Sequence, residues 1–566
     1  MTNRQRNCWV LMLAVAVVVT GCSKGDLGPR TIVPDPATRV EIDGGAAVGF
    51  IEENGAHVWR GLPFAGDTGG EGRWRAPRPV EPWEGVHDGT AFGPACAQVA
   101  TPFTRIEGWE NGRVEGSEKC LNLDVYAPSA GGEDLPVMVW VHGGSNVSGA
   151  SQLYKAHNLA ENENVIVVVL QYRLGPLGFF AVPDDGNEAE ESVRQPANFA
   201  LLDIIAALEW VQRNALVFGG SSSNITIFGE SAGGHNINAL LMSPLAEGLF
   251  SRAIVQSGLM DSVSVSDALG QTGELQNASK AVVERAGGME ALRARSTEDV
   301  FEAYERTDGL WLDLPRIIED GATIPDRPLL EVVGETGPSQ NVPIITGTNR
   351  DEMKLFFAFD DLLTRKKLWF FREPIDPDFY EAASEYSARI WRLRAVHMLA
   401  EGTGAAGNPD VYSYQFDWDD AGSFLLTDFG TLFGAAHAFE IPFVFNRFAL
   451  LGDADQFVFS AKTGDSREEL SRAMGAYWAS FARDGSPVVD GLPNWPRHGE
   501  DAHTMIFDSR DDQGLVVKGS PDSLARITED LESDQRLDAE QRCALYGLLV
   551  NLNGLTDEDV PAACVQ

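Results

Sequence analysis

The sequence predicts an α/β fold with a mainly parallel sheet and helices on both of its faces. Pro136–Val141 and Val165–Leu170 are short runs that are apolar along almost their whole length. Such runs are typical of strands buried on two faces, as in a parallel sheet covered by helices. Downstream, apolar residues recur at helical spacing over 201–211, so a helix follows the second predicted strand.

The same alternation continues along the chain. Ile225–Phe228 is β-branched and aromatic and predicts a third strand, and Ala232–Met242 predicts the helix that follows it. Further strands are expected at Ala253–Val255, Ile344–Ile345 and Val411–Phe416. Strands that alternate with helices in this way indicate one α/β unit rather than separate strand and helix domains.

Three segments depart from the alternation. Residues 261–339 are charged and helix-prone, and residues 353–408 are rich in aromatics and arginine, yet neither shows a linker. We therefore expect one domain over 37–508 with these two segments as cap insertions. Residues 509–566 are strongly acidic and predict a C-terminal extension, either a small stapled segment or a helical hairpin.

The N-terminus has the layout of an export signal. Arg4 and Arg6 precede the 13-residue apolar run Cys8–Thr20, which is too short to span a bilayer comfortably. Residues 1–21 are therefore predicted to be a signal peptide. The stretch VTGC, ending at Cys22, resembles a bacterial lipobox and predicts lipidation of Cys22, followed by a tether over 22–36. The alternative is an ordinary cleaved signal. The expected location is the periplasmic side of a bacterial membrane, or outside the cell.

Charge and cysteine usage narrow the partners. The chain has 83 acidic and 44 basic residues, for a net charge of −39. A field of this sign repels nucleic acid and anionic lipid, so no nucleic-acid partner is expected, and membrane contact only through a lipid anchor. Apart from Cys8 in the predicted signal and Cys22 at the predicted cleavage site, the chain has four cysteines, in pairs 24 and 21 positions apart: Cys96 with Cys120, and Cys543 with Cys564. Neither spacing resembles a zinc site, and both fit local disulfides.

Ser231 is the candidate nucleophile, in the sequence Gly-Glu-Ser-Ala-Gly. The G-x-S-x-G pattern alone is weak, because Ser23 lies in the same pattern within the targeting segment. Only Ser231 has a strand before it and a helix after it, the layout of a nucleophile elbow. Small residues two positions to either side let strand and helix approach closely, and the helix N-terminus favours negative charge there.

A nucleophilic serine requires a base, and the base requires an orienting acid, in the order serine, acid, histidine on this type of fold. Four histidines follow a plausible acid: His397, His437, His498 and His503. His437 lies in a small-residue turn before an aromatic run, whereas His235, on the helix after Ser231, is interpreted as structural. The acid follows the strand VPIITGT and is either Asp351 or Glu352.

The oxyanion of acyl transfer requires convergent backbone donors. One N–H group is expected from Ala232, the residue after the candidate nucleophile. Others are expected from the glycine loop after the first strand, His142-Gly143-Gly144-Ser145.

A series of segments between about Val40 and Phe507 resembles the type-B carboxylesterase family. They occur in the family's order: WRGLPFA, WEGVHDGTAFGPAC, SEKCLNLDVYAP, VWVHGG, YRLGPLGFF, LVFGG, ITIFGESAGG, IVQSG, GTNRDE, HAFEIPFVF, AMGAYWASFARDG and GLPNWP. The resemblance implies an α/β-hydrolase fold and a serine esterase that acts on small to medium carboxylic esters without a metal or cofactor. An amidase or lactonase would use the same machinery, and some relatives in this fold family are non-catalytic binding proteins.

The resemblance also assigns roles. It implies a nucleophile at Ser231, an acid at Glu352 rather than Asp351, and a base at His437. The remaining implied positions are the oxyanion donors Gly144, Ser145 and Ala232, the disulfide Cys96–Cys120, and the electrostatic neighbours Glu230 and Ser257.

Two departures from the family pattern bear on substrate choice. The glycine loop continues as Ser145-Asn146, where the family usually has a small residue and then an aromatic. The added hydroxyl and amide are expected to make the acyl side more polar or tighter. Trp109 lies near the position of the choline-binding tryptophan of cholinesterases, which hints at cationic substrates, although broad esterase activity is favoured.

Overall fold

The structure is a computed structural model of the 566-residue chain. It describes residues 32–564 except for a few short gaps, at 184–195, 274, 306–313, 315, 369–370, 425–426, 450, 453–454, 520–521 and 553–554. The predicted signal peptide and Cys22 lie outside the described residues.

A large central sheet organises the described part of the chain. Its eleven strands are, in chain order, β1 Phe50–Ile51, β2 His57–Pro63, β3 Asn122–Ala127, β4 Leu135–Val141, β5 Ile166–Leu170, β6 Gly220–Glu230, β7 Arg252–Gln256, β8 Ile344–Asn349, β9 Val411–Phe416, β10 His503–Phe507 and β11 Leu515–Gly519. Their order in space is β1-β2-β3-β5-β4-β6-β7-β8-β9-β10-β11. The pairings from β5 to β10 are parallel, and those at the two ends of the sheet are antiparallel. The prediction of a mainly parallel α/β sheet is confirmed.

Side chains of β4 show how one strand serves two cores. Val137 and Val139 pack into one hydrophobic core, whereas Met138 and Trp140 pack into the other. This follows from the two-residue period of a strand. All four side chains are buried, which explains why the sequence reads as an uninterrupted apolar run.

Helices cover both faces. The first core is closed by Phe199–Asn214, Ala232–Met242, Leu329–Thr336 and Met398–Ala405. The second core is closed by His157–Glu163, Ile441–Val444 and Gly464–Asp484. The other α-helices are Gly175–Gly178, Val265–Leu269, Ser279–Ala286, Met289–Ala294, Thr297–Glu302, Lys354–Phe357, Pro377–Arg392, Phe429–Phe433, Asp455–Val458, Leu524–Ser533 and Ala539–Asn551.

Shorter elements connect these layers. A three-stranded sheet is formed by Val40–Ile42, Gly45–Val48 and Val86–Asp88. The two-stranded pairs are Gln98–Val99 with Val114–Glu115, Val263–Ser264 with Ile318–Glu319, Thr364–Leu368 with Phe371–Pro374, and Ser423–Phe424 with Thr427–Asp428. The 3₁₀ turns are Pro36–Thr38, Gly70–Gly72, Ser151–Leu153, Ala215–Phe218, Pro244–Ala246, Ala461–Thr463 and Asp557–Asp559, and Leu393–His397 is a π-helical turn.

The C-terminal segment continues the sheet before it leaves it. Strand β11 pairs with β10, so the central sheet runs past residue 508. Because β11 is short and its later residues are exposed, its sequence carries little strand signal. Helices Leu524–Ser533 and Ala539–Asn551 then pack on helix Pro377–Arg392 through a core of their own.

A search of the described residues for a helix long and apolar enough to cross a bilayer finds none.

Candidate active site

Ser231 occupies the sharp turn between β6 and helix Ala232–Met242. Its backbone is left-handed, with φ 55° and ψ −123°, a strained conformation for a residue with a side chain. A Cβ at Gly229 or Gly233 would lie only 2.5 or 2.0 Å from the carbonyl oxygen of Val141. The strand–turn–helix arrangement predicted around Ser231 therefore forms, and it depends on glycine on both sides.

The glycine loop after β4 lies against this turn. A Cβ at Gly143 would lie 3.2 Å from the Cβ of Ser231, so the loop backbone is in direct contact with the candidate nucleophile. Gly144 and Ser145 both have positive φ, +106° and +54°. The N–H groups of Gly144, Ser145 and Ala232 donate no hydrogen bond to another described residue. Three backbone donors of the kind an oxyanion requires are therefore uncommitted around Ser231.

The structure corrects the expectation for Asn146. Its buried side chain exchanges hydrogen bonds with Asn236, at 2.8 and 3.2 Å, and does not add an amide to the acyl side. Because Asn236 belongs to the helix that follows Ser231, this pair braces the glycine loop against the helix. The carbonyl oxygen of the adjacent Ser145 accepts a hydrogen bond from Arg316 at 3.1 Å.

Glu352, and not Asp351, meets the imidazole of His437. Glu352 Oε2 lies 2.5 Å from His437 Nδ1, and both side chains are buried. The other oxygen, Oε1, accepts hydrogen bonds from Ser257 Oγ at 2.6 Å and from the backbone N–H of Asn349 at 2.8 Å. The carboxylate is thus oriented by two donors while it faces the histidine. Ser257 was expected near this group, and it contacts Glu352 directly.

Asp351 holds the loop that carries the histidine. Its Oδ2 accepts a hydrogen bond from the backbone N–H of Ala435 at 2.9 Å, and it forms ion pairs with Arg350 and Lys354. Burial alone would raise the pKa of Asp351, but Lys354 and Arg350 outweigh burial and lower this pKa below its ordinary value. The residues alone left Asp351 and Glu352 as alternatives for the acid. In the structure Glu352 binds His437, whereas Asp351 binds Ala435, Arg350 and Lys354.

The second ring nitrogen of His437 faces a second carboxylate. His437 Nε2 lies 3.0 Å from Glu230 Oε1, next to Ser231 in the chain. Burial would lower the pKa of His437, but the charges of Glu230 and Glu352 outweigh it and raise this pKa well above its ordinary 6.5. The hydroxyl of Ser231 has no hydrogen-bond partner among the described side chains. The imidazole of His437 therefore lies between two carboxylates, and one of them, Glu230, directly precedes Ser231 in the chain.

A third acid, Glu440, is absent from the sequence-based expectations. It is fully buried, accepts hydrogen bonds from Gln256 at 3.0 Å and Asn349 at 2.7 Å, and lies in the turn between His437 and helix Ile441–Val444. Burial, followed by repulsion from Glu230 and Glu352, raises the pKa of Glu440 to about 8. The signal for it was present: an acid inside the aromatic run HAFEIPFVF has to be buried with partners.

Two aromatic rings pack beside the buried imidazole of His437. The rings of Trp391 and Phe356 lie 5.3 and 5.5 Å from that of His437, measured between centroids. Trp391 is held in place by its indole N–H, which donates to the carbonyl oxygen of Ser257 at 3.2 Å. Trp109 is not one of the described rings that contact His437, so the structure adds nothing to the choline-site comparison.

The other candidate histidines lie elsewhere. His397 and His498 pack on each other with ring centroids 5.3 Å apart, and Ser413 bonds to His498 at 2.8 Å. Burial first, and then the neighbouring histidine or cation, lowers the pKa of both to about 4. His503 begins strand β10. His235, one turn after Ser231, is also neutralised chiefly by burial, with its pKa lowered to about 4.

Both expected cysteine pairs are disulfide-bonded in the structure. Cys96–Cys120 closes the segment that leads into β3, and Cys543–Cys564 ties the last described residues to helix Ala539–Asn551.

A serine on a strand–helix turn, next to a paired imidazole and carboxylate in a mainly parallel sheet, is the arrangement of the α/β-hydrolase class. Comparison with known families extends this. Residues 36–371 and 371–518 match the carboxylesterase family. The chain belongs to this family, and it is a serine carboxylic-ester hydrolase.

The chain is similar to known esterases along most of its length. The chain is 33% identical over 501 residues to the para-nitrobenzyl esterase of Bacillus subtilis, covering 84% of this chain and 95% of the relative. It is 32% identical over 508 residues to the human protein named cocaine esterase, covering 82% and 86%. Among solved structures, a PNB esterase has a TM-score of 0.67 at 30% identity, covering 86% of this chain and 99% of the other. A carboxylesterase of Geobacillus stearothermophilus has a TM-score of 0.66 at 28% identity, covering 87% and 99%.

Proposed function

We propose that Ser231 is the nucleophile of ester hydrolysis, His437 its general base and Glu352 the acid that orients His437. One observation carries this proposal: His437 binds Glu352 through Nδ1, and its Nε2 is directed at the chain neighbour of Ser231. Nδ1 bonded to a carboxylate leaves Nε2 as the nitrogen that exchanges a proton with the serine.

The reaction begins when neutral His437 accepts a proton at Nε2. As the Oγ–H bond of Ser231 breaks, Oγ forms a bond to the ester carbonyl carbon, and the carbonyl oxygen becomes negative. His437 then donates its proton to the alcohol oxygen as the carbon–oxygen bond breaks, which leaves an acyl-enzyme. Water repeats the sequence, with His437 taking its proton, and releases the acid and free Ser231.

The backbone N–H groups of Gly144, Ser145 and Ala232 are proposed to stabilise the negative oxygen. Their lack of other partners among the described residues supports this role, because donors already engaged would have to reorganise during the reaction. Each such donor is typically worth about 3 kcal/mol in the transition state.

Substrates are proposed to be small to medium carboxylic esters with apolar groups. The rings of Trp391 and Phe356 beside His437 support this preference, since apolar groups gain free energy by leaving water for such surfaces. Assays with matched esters and amides of increasing acyl length will test it; a preference for amides would contradict it.

The nucleophile assignment is tested by Ser231→Ala. This variant should lower kcat for a short-chain aryl ester by at least about 10⁴-fold while the fold is retained. Ser223→Ala, at an exposed serine in β6, is the matched control and should keep full activity. Circular dichroism and thermal unfolding will establish that both variants fold, and substantial activity in the Ser231→Ala variant would disprove the assignment.

We further propose export through residues 1–21, lipidation of Cys22 and a tether over 22–36. In this division 37–508 carries the catalysis, with inserted segments at about 261–339 and 353–408, and 509–566 extends it. Mass spectrometry of the mature N-terminus tests the first part: a diacylated or triacylated Cys22 is expected, and an unmodified chain that starts elsewhere would refute lipidation.

A further inference from the structure

The proposed oxyanion donors belong to two different elements of the fold. The N–H groups of Gly144 and Ser145 lie in the glycine loop after β4, whereas the N–H of Ala232 lies at the start of the helix after Ser231. All three can point at one carbonyl oxygen only if the loop and the helix keep a fixed spacing. The loop therefore needs an attachment to this helix close to the donors.

A pair of buried amides supplies this attachment. Asn146 Nδ2 donates to Asn236 Oδ1 at 3.2 Å, and Asn236 Nδ2 donates to Asn146 Oδ1 at 2.8 Å. Asn236 lies one helical turn after Ala232, and both amide side chains are buried. Between residues 142–149 and helix Ala232–Met242, the described part of the chain contains no other hydrogen bond. The two bonds of this amide pair are therefore the direct polar link between the two sources of donors.

The middle of the loop has a backbone conformation that requires support. Gly144, Ser145 and Asn146 have positive φ in succession, +106°, +54° and +58°. This left-handed region disfavours residues with a side chain, although Asn tolerates it better than most. Such a conformation persists only where neighbouring groups hold it. Asn146 therefore suits the loop in two ways, through its backbone and through the amide that binds Asn236.

Other hydrogen bonds hold residues 142–149 from outside, and none of their donors or acceptors belongs to helix Ala232–Met242. They connect the loop to Tyr172, Gln98, Gly175 and Arg316. These bonds fix the loop on neighbouring segments of the chain. The distance between the loop and the N-terminus of the helix depends, among hydrogen bonds of the described residues, on the amide pair.

We propose that Asn146 and Asn236 are positioning residues, which set the distance between the donors of the loop and the N–H group of Ala232. This inference rests on the proposed function, in which these donors stabilise the negative oxygen of ester hydrolysis. The family usually has an aromatic residue at position 146, which has no amide to form such a pair. Because the donors act on the oxygen only as it becomes negative, a displaced loop should slow the reaction more than it weakens ester binding.

The kinetics of Asn236→Ala test this role. Alanine suits a helix and removes both hydrogen bonds of the pair. For a short-chain aryl ester, kcat should fall about 10- to 100-fold, because a small misplacement of the donors is costly in the transition state. KM should change less than about 2-fold. Asn214→Ala is the matched control: Asn214 is also buried and has two hydrogen bonds, with Asp43 and Trp210, and its loss should lower Tm but not kcat.

Asn146→Gly separates the amide from the backbone. Glycine adopts positive φ readily, so this variant keeps the loop conformation accessible and loses the side chain alone. It should show the same loss of kcat as Asn236→Ala, and it serves as the readout if Asn236→Ala fails to fold. The double variant should lose no more than either single variant, because both substitutions remove the same two bonds. Losses that multiply in the double variant would contradict a shared role, and wild-type kcat in the folded single variants would overturn the inference.

Binding of an aryl trifluoromethyl ketone gives a readout that a merely structural role would not move. Ser231 Oγ adds to the ketone carbon, the serine proton passes to His437, and the ketone oxygen becomes an oxyanion. Its dissociation constant should rise about 10- to 100-fold in both single variants, in parallel with the fall in kcat/KM, and should stay at the wild-type value in Asn214→Ala.

The Ser231→Ala variant distinguishes two kinds of failure. If Ser231→Ala is inactive but Asn236→Ala and Asn146→Gly bind the ketone as the wild type does, the proposed function stands and the positioning role is wrong. If Ser231→Ala keeps its activity, the proposed function is wrong and the positioning role falls with it.

Discussion

The imidazole of His437 lies between two carboxylates, and this sets the pH range in which it can act as a base. A protonated imidazole is stabilised by both Glu230 and Glu352, and its pKa lies well above the ordinary 6.5 in spite of burial. Only the neutral form accepts the proton of Ser231. Activity is therefore expected to rise with pH through this elevated pKa.

Replacing Glu230 by glutamine should move this rise to lower pH. The substitution removes one of the two charges that favour the imidazolium, so the pKa of His437 falls and neutral imidazole persists in more acidic solution. The acidic limb of the kcat/KM profile reports this pKa in the free enzyme. Glu209→Gln, at an exposed helix position, should leave the limb in place. An unmoved limb in the Glu230→Gln variant would show that this carboxylate does not control the base.

Substitutions at the two neighbouring acids should separate catalysis from stability. Glu352→Gln should lower kcat by about 10³–10⁴-fold, because the amide no longer stabilises the imidazolium and favours the wrong tautomer. Asp351→Asn should lower Tm while the folded enzyme keeps most of its kcat, since Asp351 binds Ala435, Arg350 and Lys354. The measurement is kcat and Tm for both variants. A large loss of kcat in Asp351→Asn, together with nearly full kcat in Glu352→Gln, would assign the catalytic acid to Asp351 instead.

At the scale of elements, the apolar pattern of the sequence was sufficient to predict those strands and helices whose buried residues are all apolar. The predicted helix Ala232–Met242 and strand Val411–Phe416 agree with the observed bounds. In both elements the buried positions follow one another closely in the sequence, so the local pattern shows them. β3 was not predicted, since Asn122 and Asp124 interrupt its apolar pattern although all its residues are buried. Local pattern thus fails where polar side chains are buried with partners.

The candidate active site was less predictable from the sequence than the strands and helices, because most of its contacts join residues that are far apart in the chain. Ser231 lies in a local motif, but the choice of Glu352 over Asp351 was available only from the family resemblance. The hydrogen bond from Gln256 to Glu440 spans 184 positions, and the ring of Trp391, on helix Pro377–Arg392, packs beside that of His437. Contacts of this range depend on the assembled sheet, and no local spacing encodes them.

Helix Pro377–Arg392, which carries Trp391, is held by the C-terminal segment. Asp522 binds both Arg389 and Arg392, at 2.8 and 3.0 Å, and its side chain is only 5% exposed. Burial would raise the pKa of Asp522, but the two arginines outweigh burial and lower it below its ordinary value. The extension therefore stabilises a helix that contacts the candidate active site.

Asp522→Asn should destabilise the protein by roughly 3 kcal/mol, since it leaves two partly buried cations without their shared partner. Because the pKa of Asp522 is lowered in the folded state, its contribution is present above the ordinary 3.8 and is lost as pH falls through the folded value. The difference in the free energy of unfolding between wild type and variant, measured with urea, should therefore be full at pH 7 and become smaller as the pH falls below 3.8. Asp530→Asn, which removes a 46% exposed partner of the same Arg389, should cost much less, and equal costs would contradict this account.

At the scale of the whole molecule, the net charge of −39 opposes the compact state. Like charges on one surface repel one another, and the repulsion is screened within about 10 Å at 0.1 M salt. Some acids are paired, as Asp522 is, but 83 acidic side chains cannot all find partners among 44 basic ones. The folded protein therefore retains a repulsion that salt can reduce.

Raising the ionic strength from about 10 to 200 mM should increase Tm at pH 7, since screening weakens this repulsion more in the compact state than in the expanded one. Sodium chloride and tetramethylammonium chloride should act alike, because screening depends on ionic strength and not on a specific ion. Near the isoelectric point of about 4.5, net repulsion is absent, so added salt should no longer raise Tm there. A rise of the same size at both pH values would mean that salt acts through ion binding or burial of apolar surface. A rise at pH 7 alone would show that the negative surface charge lowers the stability of the folded protein.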